Sequence, residues 1–168
     1  MDEFAGVEAR IRQLHAHYTD AVWRKDPESF GGCFAADAEW RISGMVLSGR
    51  EAIVAAFGGI CANMERVLIS FRTPQVELTG SGTAAARVYV TEHCTWTNKA
   101  PNFNIGRYFE RYVDCGGRWR FSWRLYHLLY TGASDLSGQF HDHPDFGAWP
   151  GMPPADAVPE VAPGKSIS

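Results

Sequence analysis

Apolar residues recur at three- and four-residue intervals at Val7, Ile11, Leu14, Tyr18 and Val22. This spacing predicts a helix over 7–24 with one buried face. Asp26-Pro27-Glu28 reads as the start of a second helix, because Asp26 can cap free amides and Pro27 suits the first helical position. That helix is expected to carry Phe30, Cys33 and Phe34 and to end near Ala36. A short strand over 39–43 follows, with turn signals and a second short strand over 45–49. A third helix is predicted over 50–64, with Ile53, Phe57 and Ile60 inward. The pattern then turns strand-like: 67–78 interrupted at Pro74, a hairpin signal at Gly80-Ser81-Gly82, and long strands over 85–97, 103–113 and 119–130. Helices first and strands afterwards predict an α+β domain. Its layout is a cone: three N-terminal helices against a curved, mostly antiparallel sheet, enclosing one hydrophobic pocket.

Beyond Thr131 this periodicity stops, and six of the nine prolines lie after residue 140. The chain therefore divides into a domain over 1–132 and a Pro-rich extension over 133–168. Residues 155–168 are expected to be mobile. Phe140, Phe146, Trp149 and Met152 are too apolar for an idle tail and are expected to fold over the pocket mouth or onto a neighbouring subunit.

Composition narrows the function. A net charge of −3 argues against nucleic acid, which requires a basic face. No apolar run approaches the roughly 20 residues of a membrane span. Met1-Asp2-Glu3 lacks the character of a signal peptide, so a cytoplasmic location is expected. Cys33, Cys61, Cys94 and Cys115 are widely spaced and read as buried thiols rather than a zinc site. His141-Asp142-His143 lacks further ligands fixed in sequence, so no metal is expected. Nor is there a phosphate loop, a nucleophile elbow or a dinucleotide fingerprint, so no cofactor is expected.

The strand over 85–97 has two faces, and both carry polar residues. One presents Tyr89, Thr91, His93 and Thr95; the other presents Val88, Val90, Glu92 and Cys94. Pattern alone allows either to face inward. On the next strand, Asn104, Gly106, Tyr108, Glu110 and Tyr112 share a face. An Asn amide or a Tyr hydroxyl there could hold a developing oxyanion. Glu110, flanked by basic residues, reads as an arginine's partner rather than a base. His127 could reach the pocket from the last strand.

Asp37-Ala38-Glu39-Trp40, followed by Gly49-Arg50-Glu51-Ala52-Ile53, and later Trp119-Arg120-Phe121 resemble the SnoaL-like branch of the nuclear-transport-factor-2-like superfamily, with scytalone dehydratase and hexachlorocyclohexane dehydrochlorinase closest. The resemblance spans roughly residues 8–130. It implies the cone fold and favours the His93 face, because scytalone dehydratase places a substrate-contacting His in this strand. It places pocket contacts near Asn104 and Gly106. Trp40 matches a tryptophan of the dehydrochlorinase pocket, and Tyr18, Trp23 and Phe57 would complete an aromatic cage with it. At the catalytic Asp and His positions of those enzymes this chain has Trp23 and Ser70. An unassisted serine is a poor base and nucleophile, so that proton relay does not carry over.

The expected function is thus a cofactor-independent lyase or isomerase, of dehydratase or cyclase type, acting on a hydrophobic cyclic molecule. His93 would be the base, Tyr89 or Tyr108 its partner, and Tyr18, Trp23, Trp40, Phe57, Ser70, Thr91, Asn104 and His127 the substrate contacts. The alternatives are a binding protein that has lost the dyad and, last, a structural subunit like the small subunit of aromatic-ring dioxygenases. Aromatic residues on the last strand need cover, which implies a homo-oligomer, either a dimer or a trimer.

Overall fold

The computed structural model describes residues 3–98 and 101–157. The first apolar stripe forms α1 (Glu3–Arg24), which buries Val7, Ile11, Leu14, His15, Tyr18, Ala21 and Val22. Asp26 caps α2 (Pro27–Gly32) by accepting from the Ser29 amide at 3.0 Å. This helix stops four residues short of Ala36. Gly31-Gly32 are weak helix formers, and Phe34 already belongs to β1 (Phe34–Ile42). Next come β2 (Met45–Ser48), α3 (Arg50–Asn63), β3 (Met64–Phe71), β4 (Gln75–Gly80), β5 (Thr83–Trp96), β6 (Pro101–Asp114), β7 (Trp119–Gly132) and β8 (Gln139–Phe140). One sheet runs in the order β2-β1-β7-β6-β5-β3, with β4 also beside β5 and β8 beside β7. β1 and β7 are parallel, and the other pairs are antiparallel. β3 and β4 are successive pieces of one edge along β5: Phe71 faces Val90 and Gln75 faces Arg87, with the Pro74 break between them.

Register decides which side chains enter the cone. Val88 lies opposite Tyr108, and Glu92 opposite Asn104. Tyr108 lies opposite Tyr126, and Glu110 opposite Arg124. These residues share the concave face with the helices. Two register shifts along the β6–β7 ladder change the parity of β7. Phe121, Arg124, Tyr126 and Leu128 therefore sit inside, while Trp123, Leu125 and His127 sit outside. The inner core is aromatic: Phe30 and Phe57 stack with centroids 3.9 Å apart, and Tyr18, Phe34 and Phe121 pack around them.

The extension returns across the chain's own outer sheet face. Met152 is buried with Ala85, Phe109, Trp123 and Leu125, and Phe146 packs on Phe109. Asp145 clamps the segment through Arg87 at 2.7 Å and Arg107 at 3.2 Å. Arg107 and Arg111 also donate to the carbonyls of Pro144 and Pro153. The destination follows from an apolar island that three strands assemble on that face. Phe140 and Trp149, by contrast, stay exposed. Trp123 is thus covered by its own chain, which removes that reason for expecting a partner. Most of the segment expected to be mobile, 158–168, lies outside the described residues.

His127 stacks on His143 of the extension with ring centroids 4.5 Å apart. Burial first, then His143 and Arg107, holds the His127 imidazole down to about 4. The docked extension therefore prefers neutral His127. Its docking is fully favourable above the ordinary imidazole value of about 6.5 and weakens as pH falls from there towards about 4. Proteolytic cleavage within 141–157 should accelerate over that window. His127→Phe should flatten the profile, and a flat wild-type profile would contradict this account.

Candidate active site

Between the helices and the concave face lies a cavity of about 200 Å³. Its walls are largely apolar or aromatic: Tyr18 and Val22 from α1, Trp40 and Ile42 from β1, Phe57, Ile60 and Cys61 from α3, and Met64, Val67 and Ile69 from β3. A dry engineered cavity of about 150 Å³ suffices for benzene. The space therefore suits one substituted ring.

Glu92 of β5 brings a carboxylate into this wall. The Tyr126 hydroxyl donates to Glu92 Oε2 at 2.9 Å, and Asn104 Nδ2 lies 3.4 Å from the same oxygen. Thr131 Oγ1 sits 2.9 Å from Asn104 Oδ1, which orients the amide so that its N–H2 group turns towards Glu92. Burial raises the phenols of Tyr108 and Tyr126 well above their ordinary value, so both remain protonated donors at neutral pH. Trp40 adds a buried indole N–H that has no acceptor among the described residues. A carboxylate, phenols, an amide and an indole donor thus converge on one apolar space, a combination suited to moving a proton and holding an oxyanion.

Gly106 makes this arrangement possible. A Cβ at that position would fall on the Tyr126 ring and hydroxyl. Gly106→Ala should displace Tyr126 from Glu92 and cost about 1–3 kcal/mol by overpacking. Thermal denaturation and binding of a ring ligand would read both effects.

Behind Tyr18 and Tyr108 lies a fully buried ion pair. Arg124 Nε donates to Glu110 Oε1 at 2.8 Å, His15 Nε2 donates to Oε2 at 2.8 Å, and the Tyr112 hydroxyl also donates to Oε2. Arg124 lies 3.8 Å from the Tyr108 ring centroid and 4.5 Å from that of Tyr18. Burial alone would raise the Glu110 carboxyl, but Arg124 and His15 outweigh it and hold it at about 2. Glu110 is therefore an ionised structural partner of Arg124.

Of the residues expected at the site, Tyr18, Trp40, Phe57, Asn104 and Tyr108 line the cavity. The others do not. His93 and Tyr89 are exposed on the outer face of β5, and Thr91 shares that face. His93 pairs across the sheet with Leu68 and Phe103, which also face outward. The face favoured by resemblance is thus the outer one, and Glu92 takes the inward place. His127 is buried beneath the extension on the wrong side of the sheet. Trp23 is 50% exposed and Ser70 is exposed; both border a separate groove between α1 and β3. Their inward neighbours are Val22 and Ile69, so the cone wall at the expected dyad positions is apolar. Glu92 was visible in the sequence only as a member of the alternative face. Tyr126 was missed because nothing local announces the β7 register shift.

The described residues contain no helix long and apolar enough to cross a membrane. Solved structures share the cone. A candidate scytalone dehydratase from Novosphingobium aromaticivorans DSM 12444 superposes with a TM-score of 0.72 at 21% identity, covering 79% of this chain and 91% of that one. Hexachlorocyclohexane dehydrochlorinase LinA-type3 from Novosphingobium barchaimii LL02 gives 0.67 at 17% identity, covering 81% and 94%. Aln2 from a Streptomyces species gives 0.62 at 23% identity, covering 71% and 88%. At these identities the likeness speaks to the fold. No curated protein matches the sequence. The SnoaL-like domain family matches residues 5–124, most of the chain and nearly all of the cone, and this protein belongs to that family.

Proposed function

We propose that the protein is a cofactor-independent lyase or isomerase, of dehydratase or cyclase type, acting by proton transfer on a single hydrophobic ring. The observation that carries this reading is the Glu92 carboxylate, held by Tyr126 and Asn104 in the wall of an apolar cavity of about 200 Å³. In the proposed reaction Glu92 takes a proton from the carbon next to a ring carbonyl. The Trp40 indole N–H, or the Asn104 amide, holds the oxygen as it becomes an enolate. Collapse of the enolate forms the ring double bond and expels a β-hydroxyl. The proton on Glu92 leaves with that hydroxyl as water, which restores the carboxylate. For an isomerisation, the same proton returns to another ring carbon.

Glu92 replaces His93 in this scheme, and Tyr126 takes the place given to Tyr89. The fold relatives named for dehydratase and dehydrochlorinase activity lend the reading further support. A non-catalytic binding role is the second reading, favoured by Trp23 and Ser70 at the expected dyad positions and by apolar Val22 and Ile69 beside them in the cavity wall. The two separate on a panel of single-ring β-hydroxyketones and cyclohexenones followed by enone absorbance. Turnover of one class supports the enzyme; tight binding without turnover supports the binder. The same proposal includes a homo-oligomer, dimer or trimer, with exposed Trp23 and Leu68 as apolar surface to be covered. Light scattering reads that state. Four free thiols suit a reducing compartment, and the cytoplasm is the location proposed.

A further inference from the structure

Another cleft, of about 380 Å³, opens on a flank of α1 outside the cone, between α1, α2 and the β6–β7 turn. Four arginines (Arg10, Arg24, Arg118 and Arg120) line it with one carboxylate, Asp20, and a second, Asp26, lies on Arg24, a formal excess of +2. The whole chain carries −3, so this concentration runs against the protein's overall charge. Asp20 neutralises only the Arg24 corner of the cleft. It is bound to Arg24 at 2.9 Å, and Arg24 also holds Asp26 at 2.7 Å. Among the described residues, the Arg10 and Arg118 side chains make no hydrogen bond or ion pair. Two further donors in the wall are buried without an acceptor, Trp119 Nε1 and Arg120 Nε. Trp119 itself is only 7% exposed.

Buried donors without acceptors are costly, and like charges gathered in a concave space repel. A bound oxyanion relieves both. Guanidinium forks suit phosphoryl oxygens through paired hydrogen bonds, and an indole N–H supplies a single further donor. We propose that this cleft is a binding site for a small phosphate-bearing anion with at least two negative charges, separate from the ring-binding cone and independent of the reaction assigned to it.

The test is titration calorimetry of the full chain with inorganic pyrophosphate, with inorganic phosphate and succinate as separate arms. One-site binding of pyrophosphate, clearly tighter than succinate, is expected. Arg10→Gln with Arg118→Gln should weaken it by roughly tenfold or more, because each charge-assisted hydrogen bond is worth about that factor. Both side chains are exposed, so the double variant should keep its fold and its thermal midpoint without ligand. Arg66→Gln, which removes an exposed arginine outside the cleft, should leave binding unchanged. Absence of pyrophosphate binding, equal affinity for succinate, or equal weakening by Arg66→Gln would each overturn the proposal.

Discussion

Replacing Glu92 with glutamine is expected to lower turnover by about 10²–10⁴-fold, the usual contribution of a positioned general base. The amide has the shape of the carboxylate and still accepts from Tyr126. Ring affinity should therefore change little, and the loss should fall on kcat rather than KM. Tyr126→Phe should give a smaller loss, because it frees the carboxylate to rotate without removing it. Kinetics and equilibrium binding on the same preparations measure the two quantities. A Glu92→Gln variant with undiminished kcat would remove Glu92 from the chemistry.

The largest effect on stability is expected at the ion pair behind the pocket. Glu110→Gln leaves the Arg124 guanidinium buried without its counter-charge, which costs about 3–5 kcal/mol. For a chain of this size that lowers the thermal midpoint by roughly 2–4 °C per kcal/mol. The pair also sets an acid limb. Glu110 sits at about 2 in the folded protein against an ordinary 4.5, so its contribution is fully present above 4.5 and is lost as pH falls towards about 2. The glutamine variant should lack that limb. Replacing both partners, Glu110→Gln with Arg124→Met, should recover much of the loss, because no uncompensated charge remains and the amide oxygen still accepts from Tyr112 and His15. Denaturant melts across pH measure all three; a double variant less stable than Glu110→Gln would contradict the interpretation.

The sequence disclosed some of this well and some of it poorly. The α1 stripe and the Asp26 cap were legible because each is encoded within a few residues. The cone was legible from the order of the elements. The inward face of β5 was not, because Glu92 on one face and His93 on the other are both polar. Pairing carries the missing information. Once Asn104 and Tyr108 point inward, their β5 partners Glu92 and Val88 must do the same. His93 could never have shared a wall with Asn104. Trp23 and Ser70 face away from the cone while their neighbours Val22 and Ile69 line it, since one step along a strand or helix turns a side chain out of the cone. In the extension, the apolar character of Phe146 and Met152 was visible. Their destination was not, because Ala85, Phe109, Trp123 and Leu125 become a patch only when β5, β6 and β7 lie side by side.

The central claim is that Glu92 moves a proton on a ring bound in the cone. Proton NMR in deuterium oxide, with a cyclic ketone that binds but lacks a leaving group, tests it without knowledge of the natural substrate. The account predicts deuterium appearing at the carbon next to the carbonyl with wild-type protein and almost none with Glu92→Gln at equal occupancy. No exchange with the wild type, or equal exchange with both proteins, would contradict it.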